Sequence, residues 1–259
     1  MKLKSKETNN NLDRLIKIVK KLRAPNGCEW DREQTHKSLI PYLLEETYEV
    51  IESIEQENFE DLKEELGDLL LHVIFQTDIS EENKKFKFND VIDGICQKLI
   101  RRHPHIFYDK NDPRYKEGDW ELLKQKEKNR NSVLDGVPFA LPALIRARRI
   151  QEKAAAVGFD WKEKEQVLLK VDEEVGELKE AIINNKGIEE EIGDVLFTVV
   201  NLSRHLGYDS EGSLKKSIDK FSDRFKRIEK DLKKKKIDMK DLSLEELDAI
   251  WNKNKLKNN

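Results

Sequence analysis

The sequence has few of the residues that interrupt or crosslink a chain. Its 259 residues include 11 glycines, 6 prolines and 2 cysteines. Two cysteines are too few for a disulfide framework, so the count favours a reduced, cytosolic compartment. No stretch approaches about 18 uninterrupted apolar residues, which excludes a predicted membrane span. No apolar stretch follows the charged N-terminal residues either, so a signal peptide is not predicted.

The sequence also lacks a strong excess of one charge. Its formal net charge is −3, which gives no general attraction to nucleic acid or to a membrane surface. Hydrophobic residues make up 37% of the chain and charged residues 39%. This balance favours helices with solvated outer faces, and no segment alternates as a β-strand does. We therefore predict an all-α protein.

One acidic motif pair occurs twice in the chain. An E-E-x-x-E motif begins at Glu45 and again at Glu173, and each is followed by an E-x-x-D motif, at Glu65 and Glu191. A tryptophan–aspartate dipeptide precedes each pair. A lysine and an arginine four residues apart follow each pair, and then a tryptophan: Lys98, Arg102 and Trp120, then Lys220, Arg224 and Trp251. This order predicts one duplicated module, with a first domain over residues 1–130 and a second over residues 131–259.

Apolar periodicity predicts three principal helices in each copy. They cover residues 38–56, 59–79 and 88–102 in the first copy and residues 164–184, 188–205 and 212–233 in the second. Leu141-Pro142 is typical of the start of a further helix.

The helices that carry E-x-x-D are apolar around nearly their whole circumference. One narrow stripe is the exception, and in the first copy it holds Glu65, Asp68, His72 and Gln76. Since a helix that is apolar all round is a buried helix, both acid groups are expected to point into an interior.

Ionised carboxylates in an interior are costly unless a positive charge compensates them. No lysine or arginine stands on the acidic stripe of either helix. A hard divalent cation, Mg²⁺ or Mn²⁺, is the predicted compensation, with facing oxygens from E-E-x-x-E residues such as Glu174 and Glu177.

Four more segments are distinctive: Asn26-Gly27-Cys28-Glu29-Trp30-Asp31, Leu44-Glu45-Glu46-Thr47-Tyr48-Glu49, Arg101-Arg102-His103-Pro104-His105 and Val157-Gly158-Phe159-Asp160-Trp161. Together with the acidic motifs they resemble the MazG family of all-α nucleoside triphosphate pyrophosphohydrolases. The resemblance covers nearly the whole chain. The acidic pattern alone is also found in dUTPase-like and phosphoribosyl-ATP pyrophosphohydrolase relatives.

This resemblance implies hydrolysis of NTPs and dNTPs to a nucleoside monophosphate and pyrophosphate, with Mg²⁺ as cofactor and Mn²⁺ able to substitute. We hypothesise that water attacks the α-phosphorus. The resemblance also implies a homodimer of intertwined four-helix-bundle-like modules in which the second domain is catalytic. The first domain is then regulatory or structural, although its acidic motifs are complete at Glu46, Glu49, Glu65 and Asp68.

The resemblance implies roles for ten residues of the second domain. The implied metal ligands are Glu174, Glu177, Glu191 and Asp194. Glu173 is implied to orient water or a further ion. The implied nucleotide contacts are Lys170, Glu190, Lys220, Arg224 and Trp251.

Taken from the residues alone, several alternatives stay open. Lys220 and Arg224 also suit surface cations, Trp251 also suits packing of the C-terminal helix, and His72 and His205 also suit satisfied core histidines. A narrower hydrolase for dUTP or damaged nucleotides is one alternative function. A non-catalytic helical adaptor for a basic partner protein is another.

Overall fold

The computed structural model describes residues 5–113 and 131–255, with side chains from residue 11 to 113 and from 131 to 254. All regular structure in these ranges is helical, and they contain no β-strand. The all-α prediction is confirmed. None of the helices in the described ranges is long and apolar enough to cross a membrane.

The chain divides into two compact units, Met1–Glu117 and Gly118–Asn259. The predicted boundary between residues 130 and 131 lies at the end of the segment 114–130, which is outside the described residues. That boundary therefore stays a prediction. Trp120, the predicted tryptophan of the first copy, is also outside the described residues.

The first unit contains six described helices. They are Ser5–Arg23 (α1), Glu29–Glu33 (α2), Ile40–Glu55 (α3), Phe59–Glu82 (α4), Phe88–Arg102 (α5) and Pro104–Phe107 (α6). Pro41 lies in the first turn of α3, where its missing N–H costs nothing. The side chain of Asn58 accepts a hydrogen bond from the Asp61 amide and caps α4. The short connection between α3 and α4 makes them an antiparallel hairpin.

The second unit contains five described helices and one 3₁₀ turn, Met239–Asp241. The helices are Ala143–Ala155 (α7), Lys164–Asn184 (α8), Ile188–His205 (α9), Ser210–Lys235 (α10) and Leu244–Lys255 (α11). Helices α8 and α9 form the hairpin that corresponds to α3 and α4. Asn185 ends α8 in the left-handed conformation at φ 50°, and Gly187 precedes α9 at φ 75°. These two residues allow the tight turn between the helices.

The predicted helices 88–102, 164–184 and 188–205 coincide with α5, α8 and α9. The predicted helix 59–79 is extended to Glu82, and the predicted helix 212–233 is extended at both ends. The helix expected after Leu141-Pro142 is α7, which begins at Ala143. Helices α1, α2 and α6 were not predicted, and the C-terminal helix expected to carry Trp251, for which no bounds were predicted, is α11.

The prediction that the E-x-x-D helices are buried all round is wrong for the single chain. In α4, Ile74 and Phe75 are buried in a core with Val19, whereas Leu66 is 50% exposed. In α9, Val200 is buried but Leu196 is 53% exposed. The physical reason is that the described helices of each unit leave part of the apolar surface of its hairpin uncovered. The two E-x-x-D helices therefore carry more apolar surface than a single chain buries.

Candidate active site

The second unit brings carboxylates of two helices together. One carboxylate oxygen from each of Glu174, Glu191 and Asp194 lies within 4.8 Å of the other two. Glu174 is buried, Glu191 is half-buried and Asp194 is exposed. Glu191 and Asp194 are three residues apart on α9, and therefore share the helix face that is turned toward Glu174 on α8. The hairpin thus forms an oxygen-lined cluster that opens to solvent.

The electrostatics of Glu191 show that this cluster is crowded with negative charge. Burial raises the pKa of Glu191, and the nearby charges of Glu177, Asp194, Glu174 and Glu190 raise it further. Glu177 is exposed and is not among the three residues whose oxygens converge. Its charge nevertheless raises the pKa of Glu191, so each of the other three predicted ligands interacts electrostatically with Glu191.

Lys170 lies next to Glu174, the buried member of this cluster. Its Nζ is 2.8 Å from a carboxylate oxygen of Glu173 and 2.8 Å from one of Glu174. These hydrogen bonds, first to Glu173 and then to Glu174, raise the pKa of Lys170. No lysine or arginine stands on the acidic stripe of α9 itself. The structure shows one on the facing helix that neutralises part of the cluster.

The predicted phosphate and base contacts form a second group. The Phe221 ring lies on Trp251 with 5.0 Å between centroids, and the Arg224 guanidinium lies 5.8 Å from the Trp251 ring centroid. The Nε of Arg224 is buried without a hydrogen-bond partner, and Lys220 is exposed. Among the described residues no ion pair joins Lys220 or Arg224 to the four carboxylates. Within the described ranges, the Nε of Arg224 therefore remains a donor without an acceptor.

Glu190 lies at the start of α9, apart from the converging oxygens. It lines an open depression of about 540 Å³ together with Gly187, Ile188 and Glu189. Its charge still contributes to the raised pKa of Glu191.

Sequence reasoning missed an interaction that involves Asp160. The Asp160 carboxylate is 2.6 Å from Arg204 and 3.0 Å from His205. The two partners lower the pKa of Asp160, although its burial acts in the opposite direction and is the largest single influence. His205 therefore has a structural partner that connects the end of α9 to the loop before α8. The repeated tryptophan–aspartate dipeptide was the only signal of it in the sequence.

The first unit has a cluster at the corresponding position. One carboxylate oxygen from each of Glu46, Glu49 and Glu65 lies within 4.8 Å of the other two. Burial raises the pKa of Glu46 to about 7, and the charges of Asp68, Glu49 and Glu65 add to the effect. Tyr42 stands four residues before Glu46, where the second unit has Lys170 four residues before Glu174. The first cluster thus lacks the lysine.

We predict that the chelator-treated protein loses stability as pH rises because of Glu46. The pKa of Glu46 is 4.5 in its reference state and about 7 in the folded unit, so the folded unit binds this proton more tightly. Its stabilising contribution is fully present below pH 4.5 and is lost as pH rises through 7. Screening at this partly exposed group reduces the effect to about 1 kcal/mol.

Thermal unfolding of the protein in EDTA at several pH values measures this effect. The Glu46→Gln variant keeps a neutral side chain, so it should exceed the wild type in stability at pH 8 and match it at pH 5. Parallel pH profiles for the two proteins would contradict the assignment to Glu46.

The donors of the second unit fit a hard divalent cation. They are carboxylate oxygens from two helices, close enough to surround one ion, and burial together with their mutual repulsion raises the pKa of Glu191. Oxygen-only donor sets of this kind suit Mg²⁺ and Mn²⁺.

Comparison with known proteins places the chain in a family. The MazG nucleotide pyrophosphohydrolase domain matches residues 34–107 and 162–229. The nucleoside triphosphate pyrophosphohydrolase/pyrophosphatase MazG of Thermotoga maritima is 48% identical over 252 residues, which are 96% of this chain and 98% of that protein. The nucleoside triphosphate pyrophosphohydrolase of Escherichia coli is 44% identical over 252 residues, which are 93% of this chain and 96% of that protein. The uncharacterized protein YabN of Bacillus subtilis is 42% identical over 248 residues, which are 92% of this chain and 50% of that protein.

Duplicated helical hairpins with facing carboxylates, together with these matches, define an all-α nucleotide pyrophosphohydrolase fold. The chain belongs to the MazG family. The resemblance stated from the sequence is confirmed, and so is the enzyme class that it implied.

Proposed function

We propose that the chain hydrolyses nucleoside triphosphates, both NTPs and dNTPs, to a nucleoside monophosphate and pyrophosphate. The relatives from Thermotoga maritima and Escherichia coli are named as nucleoside triphosphate pyrophosphohydrolases, which supports the reaction class. The observation that carries the proposal is the convergence of Glu174, Glu191 and Asp194 within 4.8 Å in a chain of this family.

We place this reaction in the second unit. Both units have converging carboxylates, but among the described residues only the second cluster has a lysine, Lys170, paired with one of its carboxylates. A triphosphate carries several negative charges, and a cluster of carboxylates without a cation repels them. Lys170 therefore favours substrate binding at the second cluster.

Mg²⁺ is the proposed cofactor, held by Glu174, Glu177, Glu191 and Asp194, and Mn²⁺ can replace it. When bound there, such an ion would neutralise phosphate charge and lower the pKa of a coordinated water.

The residues of the chain have separate tasks in this proposal. Lys170, one helical turn before Glu174, holds the carboxylates of Glu173 and Glu174 in place through its two ion pairs. Exposed Glu173 accepts a hydrogen bond from the attacking water and orients it. Lys220 and Arg224 donate hydrogen bonds to phosphate oxygens.

Trp251 is proposed to stack on the nucleobase. Stacking requires only an aromatic face, which all bases have, and is therefore compatible with a broad range of substrates. The guanidinium of Arg224 is already near this ring, 5.8 Å from its centroid. Base and phosphate contacts are thus adjacent in the same group of residues.

The chain is also proposed to work as a homodimer. The exposed apolar side chains of α8, α9 and α10 support this, since Leu169 is 69% exposed, Leu196 is 53% exposed and Phe221 is 55% exposed. Apolar faces of this extent on helices are typical of surfaces that a second subunit covers.

Hydrolysis of ATP in ¹⁸O-water tests the proposed reaction. We expect one ¹⁸O atom in AMP and none in pyrophosphate, because attack at the α-phosphorus leaves the new oxygen on the monophosphate. Mass spectrometry of both products measures this. Label in pyrophosphate would contradict attack at the α-phosphorus, and release of orthophosphate would contradict the reaction class. A reaction run with EDTA is the control for dependence on a divalent cation.

A further inference from the structure

The first unit contains a cavity between α1, α4 and α5. Its volume is about 230 Å³, and the apolar part of its lining comes from Ile16, Ile74 and Phe88. Sites for drug-sized ligands usually measure about 300–1,000 Å³. The cavity therefore has room for one ring system, and the remainder of a larger ligand has to lie at its rim.

Asp78 is a buried carboxylate in the wall of this cavity. Its side chain is 9% exposed, and its Oδ2 lies 3.2 Å from the Nε of Arg23, which is also buried. The other guanidinium nitrogens of Arg23 donate hydrogen bonds to the backbone oxygen of Asp31 and to Glu82, whereas the Nε makes no hydrogen bond. Arg23 therefore compensates the charge of Asp78 without donating a hydrogen bond to it.

The Asp78 carboxylate lacks a hydrogen-bond donor. Among the described residues, neither a backbone nor a side-chain group donates a hydrogen bond to it. Burial raises the pKa of Asp78 and is the largest influence on it, although the charges of Lys20 and Arg23 act in the opposite direction. Because buried carboxylates in native folds accept hydrogen bonds, the cavity in front of Asp78 is where a donor is expected.

The second unit has a different residue at the position of Asp78. Asp78 stands 13 residues after Glu65, and the residue that stands 13 after Glu191 is Arg204. Arg204 is satisfied, since it donates a hydrogen bond of 2.6 Å to Asp160. The hairpin fold therefore does not require a carboxylate at this position, and the unsatisfied one belongs to the first unit.

The rim of the cavity carries two lysines. Lys20 on α1 is paired with Glu81, with 2.7 Å between Nζ and Oε2. Lys87, the residue before α5, is exposed, and within the described ranges no carboxylate forms an ion pair with it. Exposed Asp13 also lines the cavity and suits hydroxyl donors such as those of a ribose. An anionic group of a ligand is therefore best placed at Lys87.

These groups define the chemistry of a ligand. Since Arg23 already compensates the charge of Asp78, the ligand has to supply N–H donors but no positive charge. A carboxylate accepts two parallel N–H donors. Among the common nucleobases, guanine is the one with two adjacent N–H donors, at N1 and N2. Adenine, cytosine and uracil place an acceptor beside the donor on the corresponding edge.

We infer that the first unit binds a guanine nucleoside monophosphate in this cavity. The N1–H and N2–H groups of the base donate to Asp78, and the ring packs against Ile74 and Phe88. The phosphate lies at Lys87. Binding requires no divalent cation and does not depend on the reaction proposed for the second unit.

Calorimetric titration of the full chain with GMP in EDTA tests the inference. The chelator removes the divalent cation that the proposed site of the second unit requires, and the Lys220→Ala variant also removes a phosphate contact there. We expect one GMP bound per chain in both proteins, and AMP bound at least about 10-fold more weakly. Absence of GMP binding, equal binding of AMP, or loss of GMP binding in Lys220→Ala would overturn the inference.

Inosine monophosphate tests the contact with Asp78 without any substitution. It differs from GMP only by the absence of the 2-amino group, so one of the two donors to Asp78 is missing. Its affinity for the wild type should be about 10- to 100-fold lower, as expected for the loss of one hydrogen bond to a charged group. Equal affinities for the two nucleotides would contradict the assignment of Asp78.

The Asp78→Asn variant tests the same contact from the side of the protein. Asparagine presents one acceptor and one donor, which match the N1–H and the C2 carbonyl of xanthine. We expect GMP binding to weaken about 10- to 100-fold and xanthosine monophosphate binding to strengthen about 10-fold. A residue that only stabilises the fold would not exchange one base for the other.

Circular dichroism and thermal unfolding of the ligand-free protein report whether Asp78→Asn is folded. If it is not, the comparison of GMP with inosine monophosphate on the wild type decides the question. A folded Asp78→Asn variant that binds GMP as the wild type does, or that gains no affinity for xanthosine monophosphate, would show that Asp78 does not contact the base.

Discussion

The Glu191→Gln variant will lose Mg²⁺-dependent release of pyrophosphate from ATP, with a fall in kcat on the order of 10³-fold. The substitution keeps the size of the side chain and removes one negative charge from the centre of the second cluster. Glu191 is the group whose pKa is raised by each of the other three predicted ligands, so it is the carboxylate that all of them face. Removing it should weaken the proposed Mg²⁺ site most. A coupled pyrophosphate assay over a range of Mg²⁺ concentrations measures the effect.

The matched comparison for Glu191→Gln is Glu65→Gln in the first unit. Glu65 occupies the same position in its own E-x-x-D motif and also has a raised pKa, mainly because of burial. If the second unit is catalytic, Glu65→Gln will keep turnover within about threefold of the wild type. Equal losses in the two variants would show that both units contribute to the reaction, and an active Glu191→Gln variant would contradict the proposed site.

The helix bounds were predictable because the sequence contains local signals at the helix ends. Asn185 and Gly187 are residue types that adopt the left-handed conformation, and they separate α8 from α9 where the predicted helices end and begin. The repeat placed the acidic motifs on the same two helices of each unit. Spacing of three residues within E-x-x-D then put Glu191 and Asp194 on one face, and the structure brings both next to Glu174.

The burial of apolar side chains was not predictable from helix periodicity. An apolar side chain such as Leu196 indicates that a surface is covered, but it does not say whether the same chain or another subunit covers it. The interaction of Asp160 with Arg204 and His205 was missed for a related reason, since it joins residues about 45 positions apart. The unsatisfied carboxylate of Asp78 is likewise a property of packing. These features depend on tertiary contacts that helix periodicity does not encode.

Lys220→Ala will lower kcat/KM for ATP by about 10- to 100-fold, which corresponds to the loss of one hydrogen bond between a cation and a charged phosphate. Lys220 is exposed, and within the described ranges no carboxylate neutralises it, so its ammonium is available to a substrate. It precedes Arg224 by one helical turn on α10, which places both cations on one face of the helix, and Arg224 lies next to Trp251. If the contact is already made in the bound ground state, the loss appears as a higher KM. If the contact forms only in the transition state, kcat falls instead.

Lys98→Ala is the control for this prediction, because Lys98 precedes Arg102 in the first unit as Lys220 precedes Arg224 in the second. It should leave kcat/KM within about twofold of the wild type, since the first cluster lacks a counterpart of Lys170 and is not the proposed nucleotide site. A charge-preserving variant, Lys220→Arg, should recover part of the lost activity. If Lys220→Ala is fully active while Lys98→Ala is impaired, the nucleotide is bound by the first unit, and the assignment of the reaction to the second unit is wrong.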